Sequence, residues 1–368
     1  QVRRVVADGG MGRVYEALDT RESRRLALKV LHADVAHDPV ALERFKREFE
    51  ISSLLPHEHI VEVFDFQHLD DGSYVLVMDY LEGEELRSVL KREKLLRPER
   101  LVRMLSQLAI GLDEAHRRQL IHRDLKPDNI FLCGTHEGDI VKLLDFGSVK
   151  DKSAGAKKLT VMGTTIGSPF YMSPEQAQGL DTLDARADVW ALAAITYEAL
   201  TGEVPFRGTN GPSILLAILT QEPVPASTRP PKIPGAAPIP PTVDAVLEEA
   251  FTKNPAIRIG SVGALADRIG QAFGLKGDHL EWARTPVHTL AERIAEAAPS
   301  LMASAAPRPQ PLVEKDPFAA PSSPPGPRPS LDRVSLAGVP KGPPVGLFIG
   351  LGLALLLVIG IVLWLVLR

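Results

Sequence analysis

The sequence predicts an α+β molecule of two lobes, a small strand-rich lobe followed by a larger helical one, with one C-terminal transmembrane helix. Three observations carry this expectation. Short apolar runs bounded by turn residues crowd residues 1–81, helical periodicity governs residues 82–274, and residues 345–367 contain no charge.

In chain order, Val2 to Val6 and Val14 to Ala17 read as strands around a Gly-rich turn, and Leu26 to Val30 as a third. Asp38 is a candidate N-cap with Pro39 at the first helical position, and Leu42, Phe45 and Phe49 then recur at helical spacing. Glu48 lies at the edge of that apolar face, where a carboxylate requires a partner. Val61 to Phe66 and Tyr74 to Tyr80 are further strands. Beyond Glu82, Leu101, Leu105, Leu108, Leu112 and Ala115 make a core-facing helical stripe. Asp188 to Thr201 is apolar nearly all round, which marks a buried helix, and Gly202 ends it.

After residue 274 the expectation is a helical extension and then a linker, residues 275–344, whose Pro, Ala and Ser content from about Ala297 onward cannot bury enough apolar area to offset the entropy of ordering. The run 345–367 is long enough as a helix to cross a hydrocarbon layer of about 30 Å. Arg328, Arg333 and Lys341 precede it and only Arg368 follows, so the bulk of the chain is expected in the cytoplasm, anchored to the cell membrane by a single pass. Gly346 and Gly350 form a GxxxG pair, a candidate homodimer contact. The first residue is Gln1, which is expected of a fragment or a processed end, and no signal peptide pattern follows it.

The net charge of -4 lacks the basic surplus of nucleic-acid-binding domains, so no nucleic acid is expected as partner. A lone Cys133 cannot form an intrachain disulfide and reads as a small apolar residue of a cytosolic core.

Phosphoryl transfer requires a phosphate cradle, cations to offset charge and a carboxylate that positions the attacking hydroxyl. Candidates for each occur in order. Gly9, Gly10 and Gly12 can bring backbone N–H groups close to phosphate oxygens, although a simple hairpin has the same composition. Lys29 ends the apolar run "LALK", where an inward-facing cation needs a phosphate or Glu48. The stretch "IHRDLKPDNIF" packs His122, Arg123, Asp124, Lys126, Asp128 and Asn129 between apolar flanks. Sixteen residues after Asn129, "LLDFG" puts Asp145 at a strand end, as a metal ligand or a turn cap. Asn129 and Asp145 together with nucleotide phosphates would offer Mg²⁺ the oxygen donors it prefers.

With these motifs in place, residues from about Val2 to about Gly274 resemble the eukaryotic-like serine/threonine protein kinases of bacteria, a bilobal protein-kinase fold. "ADGGMGRV" resembles the GxGxxGxV loop that covers ATP, with Ala7 in place of its first Gly and Val14 closing it. The resemblance implies that Lys29 contacts the phosphates and pairs with Glu48. It makes Met78 the gatekeeper and Asp79 to Leu81 the hinge that holds adenine. It implies that Asp124 accepts the proton of the substrate hydroxyl, that Lys126 offsets γ-phosphate charge, and that Asn129 and Asp145 hold Mg²⁺. "MSPEQ" stands where the family has its APE motif, with Glu175 paired to Arg258, and Asp188 is expected to cap its helix and bond back to the catalytic loop. Lys126 and Ser168, the latter where a Thr is usual, imply protein substrates phosphorylated on Ser or Thr.

The same resemblance implies regulation. Arg123, just before Asp124, would bind a phosphorylated activation loop, and among Thr160, Thr164 and Thr165 the distance from "SPE" favours Thr164 or Thr165 as the autophosphorylation site. Two rival classes are a catalytically dead scaffold, which Ala7 alone supports, and a small-molecule phosphotransferase, which "SPE", Ser168 and the Glu175/Arg258 pair oppose.

Overall fold

A computed structural model describes residues 1–10, 12–146, 150–151, 169–180 and 182–303. The N-terminal lobe is a five-stranded antiparallel sheet, built from β1 (Val2–Asp8), β2 (Gly12–Asp19), β3 (Arg24–Leu31), β4 (Val63–His68) and β5 (Tyr74–Asp79) in the spatial order β1-β2-β3-β5-β4. Between β3 and β4 run a single turn, α1 (Ala33–Ala36), and a long helix, α2 (Pro39–Leu54). The start of α2 is as the sequence predicts: the Asp38 side chain accepts from Val40 N–H and Pro39 opens the helix. Leu42, Phe45 and Phe49 face the sheet, where Phe45 meets Phe66 edge-on at 6.1 Å. β4 begins two residues later than expected because Val61 N–H goes to Leu143 O at 3.0 Å rather than to β5. This stitches the two lobes together.

The helical lobe follows with β6 (Glu84–Glu85), α3 (Leu86–Glu93), α4 (Pro98–Arg117) and β7 (Leu120–Ile121). A 3-10 turn, Pro127–Asn129, leads into the hairpin β8 (Ile130–Thr135) and β9 (Gly138–Leu143), and β10 (Lys150–Asp151) pairs with β7. Then come α5 (Pro174–Ala177), α6 (Arg186–Thr201), α7 (Gly211–Thr220), α8 (Pro241–Ala250) and α9 (Val262–Ala272). Two helices, α10 (His279–Trp282) and α11 (Val287–Ala303), extend beyond them.

The core is centred on α6, which is buried on all sides as its composition dictates, with Gly202 in the left-handed region at its end. Trp190 stacks on Phe206 at 5.3 Å and takes Phe251 edge-on at 5.2 Å. Trp282 is fully buried over Gly270, where a Cβ would collide with the indole ring, so α10 is keyed into the lobe by shape.

Among the described residues no helix is long and apolar enough to cross a membrane. The expected span 345–367, the linker from 304 to 344, and Thr160, Thr164, Thr165 and Ser168 lie outside the described residues.

Candidate active site

The lobes meet where β3, α2, the segment after β7 and the end of β9 converge. Lys29, from the middle of β3, reaches α2, and its Nζ donates to both oxygens of Glu48 at 3.0 and 2.7 Å. Burial alone would lower the Lys29 pKa, but the charges of Glu48 and Asp145 outweigh it and the net shift is upward. Burial likewise dominates Glu48, pushing it up to about 7 against the opposing charge of Lys29, with Asp145 adding to the rise. The two shifts pull the pair in opposite directions. Two short bonds from one ammonium to both carboxylate oxygens are the geometry of an ionised pair, the form that prevails once pH exceeds the raised pKa of Glu48.

The segment 122–129 is organised from below by Asp188. Its Oδ2 accepts His122 N–H and its Oδ1 accepts Arg123 N–H, each at 2.9 Å. Arg123 has φ 67, in the left-handed region that a bulky residue occupies only when its surroundings enforce it. From above, Arg123 O accepts Gln176 Nε2 at 2.7 Å. So held, the chain turns Asp124 outward. Lys126 Nζ lies 2.7 Å from Asp124 Oδ2, and Asn129 Nδ2 donates to Asp124 O at 2.7 Å.

Asp145 also has a positive φ, 55, directly before the fully buried Phe146, whose ring meets His122 at 5.0 Å. Leu144 N–H bonds Asn129 O at 2.8 Å, so the end of β9, one residue before Asp145, is fastened to the 3-10 turn that carries Asn129. Among the described residues no group of three His, Cys, Asp or Glu side chains gathers to hold a metal ion. One Asn and one Asp as the protein's whole share fits Mg²⁺, which keeps waters and phosphate oxygens as its other ligands.

The glycines of the β1–β2 turn divide by role. A Cβ on Gly10 would meet nothing within 4 Å, and one on Gly9 only Gly12 O at 3.7 Å, which leaves an open face for phosphate. Gly12 differs. Its Cβ would strike Val30 O of β3, so strand contact, not phosphate approach, demands glycine there. Val14 and Leu81 pack against the cluster that includes Ala27 and Met78, and Asp79 N–H is taken by Glu62 O at 3.0 Å.

Glu175 and Arg258 form the expected pair, with bonds of 2.7 and 2.9 Å and the Arg258 side chain fully buried. One expectation is corrected. Asp188 does not cap its helix: it is the third residue of α6, Ala185 is the N-cap without a side-chain bond, and the Asp188 carboxylate is used up on the loop and on His116.

Several contributors were not read from the sequence. His116 of α4 donates Nε2–H to Asp188 Oδ2 at 2.7 Å. Gln176 completes a capping box with Ser173, for which the S-x-x-Q spacing was a visible signal. Arg87 of α3 donates to Glu198 Oε1 at 2.8 Å, to Tyr171 OH at 2.5 Å and to Asp128 Oδ2 at 3.3 Å, a network with no local sequence signature.

A strand-built lobe over a helical lobe, with a lysine–glutamate pair on one side of their junction and an aspartate–lysine–asparagine loop on the other, has the layout of a phosphotransferase. The chain belongs to the protein kinase domain family, whose model matches residues 1–269. Among curated proteins it is similar to the serine/threonine-protein kinase pkn3 of Myxococcus xanthus, 38% identical over 267 residues, 72% of this chain and 48% of that one. It is also similar to PknA of Mycobacterium tuberculosis, 37% identical over 273 residues, 73% of this chain and 60% of the relative. With PknD of the same species it shares 35% identity over 280 residues, 76% and 40% of the two chains. The matched region is thus about half of each relative's length.

Proposed function

We propose that the protein is an ATP-dependent serine/threonine protein kinase that transfers the γ-phosphoryl group to Ser or Thr hydroxyls of protein substrates. The observation that carries the reading is the bidentate Lys29–Glu48 pair, which fixes a cation of β3 at the junction of the lobes within electrostatic reach of Asp145. Asp124 orients the substrate hydroxyl and accepts its proton, and Lys126, already 2.7 Å from Asp124, carries positive charge beside the transferring group. Gly9 and Gly10 offer backbone N–H groups to the phosphates, Met78, Asp79 and Leu81 border the adenine, and Asn129 and Asp145 hold Mg²⁺. Bound Mg²⁺ neutralises phosphate charge.

Autophosphorylation at Thr164 or Thr165 is proposed as the activating step. Its support is Arg123, whose Nε is buried with no hydrogen-bond partner among the described residues and whose guanidinium pKa is lowered first by burial, with the Asp188 charge opposing and Arg47 adding positive charge nearby. An anion would satisfy that site. Anchoring by residues 345–367 in the cell membrane, with the kinase domain in the cytoplasm, rests on the charge-free run and on Arg328, Arg333 and Lys341 before it. Homodimerisation through Gly346 and Gly350 belongs to the same reading.

The test is incubation with labelled ATP, Mg²⁺ and a generic basic protein beside an Asp124→Asn control. Label on the substrate that falls by about 10²- to 10⁴-fold in the control is expected. Equal label in both, or none in either, overturns the assignment.

A further inference from the structure

Behind Asp188, whose carboxylate holds the catalytic loop, stands a second carboxylate, and His116 of α4 lies between the two. His116 Nε2 is 2.7 Å from Asp188 Oδ2, and because an ionised carboxylate offers only lone pairs, Nε2 must carry a proton. Nδ1 is buried with no hydrogen-bond partner among the described residues, and Asp113 Oδ1, one turn earlier on α4, lies 3.9 Å away.

A neutral ring with its proton on Nε2 would turn a buried, unsatisfied lone pair toward a negative oxygen. An imidazolium removes the conflict, because it presents an N–H to Asp188 and a positive Nδ1–H edge to Asp113. The side chains of Asp188 and His116 are 1% and 9% exposed, whereas that of Asp113 is 30% exposed. Solvent access lets Asp113 keep its charge, so the proton of the pair belongs to His116.

Asp113 is faced by His116 and Arg117 of α4, by His279 of α10 and by the Gly263 N–H of α9. Burial raises its pKa, and the charges of His116 and His279, the Gly263 N–H and Arg117 oppose that rise. A Cβ at Gly263 would strike both Asp113 Oδ2 and the His279 ring, so glycine is what lets α9 lie under the two. His279 is itself oriented by Asp267 of α9, whose Oδ1 lies 2.8 Å from its Nδ1. On the far side of His116, Asp188 faces His116, His122 and the Arg123 N–H.

We propose that Asp113 is a positioning residue for phosphotransfer: its charge holds His116 doubly protonated, and the imidazolium in turn secures Asp188 as the acceptor of the His122 and Arg123 N–H groups. The role rests on the kinase reading. Its test is the ratio of kcat for wild type to kcat for Asp113→Asn, which keeps the side-chain volume and removes the charge. Both proteins carry Glu48, so the ratio cancels the dependence that residue brings. The ratio is expected near one at about pH 5 and about tenfold by about pH 8, with KM for ATP unchanged, and Asp113→Glu should return it toward one. A merely structural role gives a ratio independent of pH. So does a proton resting on Asp113, because the Asn amide N–H would then face Nδ1 in its place. A flat ratio therefore overturns the proposal. Histidine 15N NMR of the full chain, with the His116 signals assigned by their loss in His116→Gln, reads the ring directly. Both nitrogens protonated at neutral pH in wild type and a neutral ring in Asp113→Asn are expected, and a neutral ring in wild type overturns the proposal. The spectrum needs no turnover, so it separates failure of this role from failure of the kinase reading, and the wild-type spectrum decides alone if Asp113→Asn does not fold.

Discussion

His116 and Asp188 meet at 2.7 Å inside the helical lobe, and the same carboxylate holds the backbone of His122 and Arg123. Burial would raise the Asp188 pKa, but the bond from His116, the charges of His116 and His122 and the Arg123 N–H hold it below the ordinary value. An acid whose folded pKa lies below its unfolded one contributes stability above the unfolded pKa and loses it as pH falls. Asp188→Ala strands three buried donors and is expected to cost about 3 kcal/mol or more. Urea denaturation should show this loss at pH 7 and a shrinking difference from wild type in acid. A difference that stays constant would rule the carboxylate out as the source.

The Lys29–Glu48 pair predicts a pH-dependent activity. A carboxyl whose folded pKa is raised to about 7 from 4.5 binds more protons folded than unfolded, so its contribution to stability falls as pH rises across that window. Activity has the opposite sign, because protonated Glu48 no longer anchors Lys29. Phosphotransfer is expected to fall as pH drops through about 7 without loss of fold. Glu48→Gln should be about 10²-fold slower and flat across that range, as for a lost positioning contact. A wild-type profile that is itself flat from pH 6 to 8 would refute the role given to this pair.

The two roles assigned to the glycines of the β1–β2 turn separate by mutation. Gly12→Ala must push β3 away at Val30, whereas Gly10→Ala meets open space. The first is expected to lower stability by about 1–3 kcal/mol, as overpacking does. Gly10→Ala should leave stability within about 0.5 kcal/mol and raise the KM for ATP. Thermal denaturation and ATP titration of the two variants decide it, and equal stability losses would contradict the division.

What the sequence disclosed was whatever depends on neighbours along the chain. Asp38 and Pro39 announced the start of α2, Gly202 the end of α6, and the period of Leu101 to Ala115 the buried face of α4. Lys29 and Glu48 were legible because each is a charge in an apolar run that needs an opposite charge. His116 was hidden because its partner is 72 residues away, and Arg87 because its bond to Glu198 spans 111. The same distance misled the reading of Asp188: an acid near a helix start suggests a cap, and only tertiary contact sends it to the loop. The two-residue strands β6 and β7 are too short to show alternation.

The Glu175–Arg258 pair allows stability to be separated from catalysis. Arg258 is enclosed: its Nη1 and Nη2 bind Glu175 at 2.7 and 2.9 Å, Nη1 also meets Arg186 O at 2.7 Å, and the guanidinium lies 5.1 Å from the Trp190 ring. Glu175→Ala leaves that charge buried and unpaired and is expected to cost about 3–5 kcal/mol. Replacing both residues, Glu175→Met with Arg258→Leu, removes the charge as well and should recover most of that loss. Activity should not recover in parallel. Glu175 shares α5 with Gln176, whose side chain holds Arg123 O at 2.7 Å, so the double variant is expected to refold yet remain slow because α5 has lost its anchor to Arg258. Urea denaturation alongside phosphotransfer rates makes the comparison, and a double variant that regains both together would mean the pair acts on stability alone.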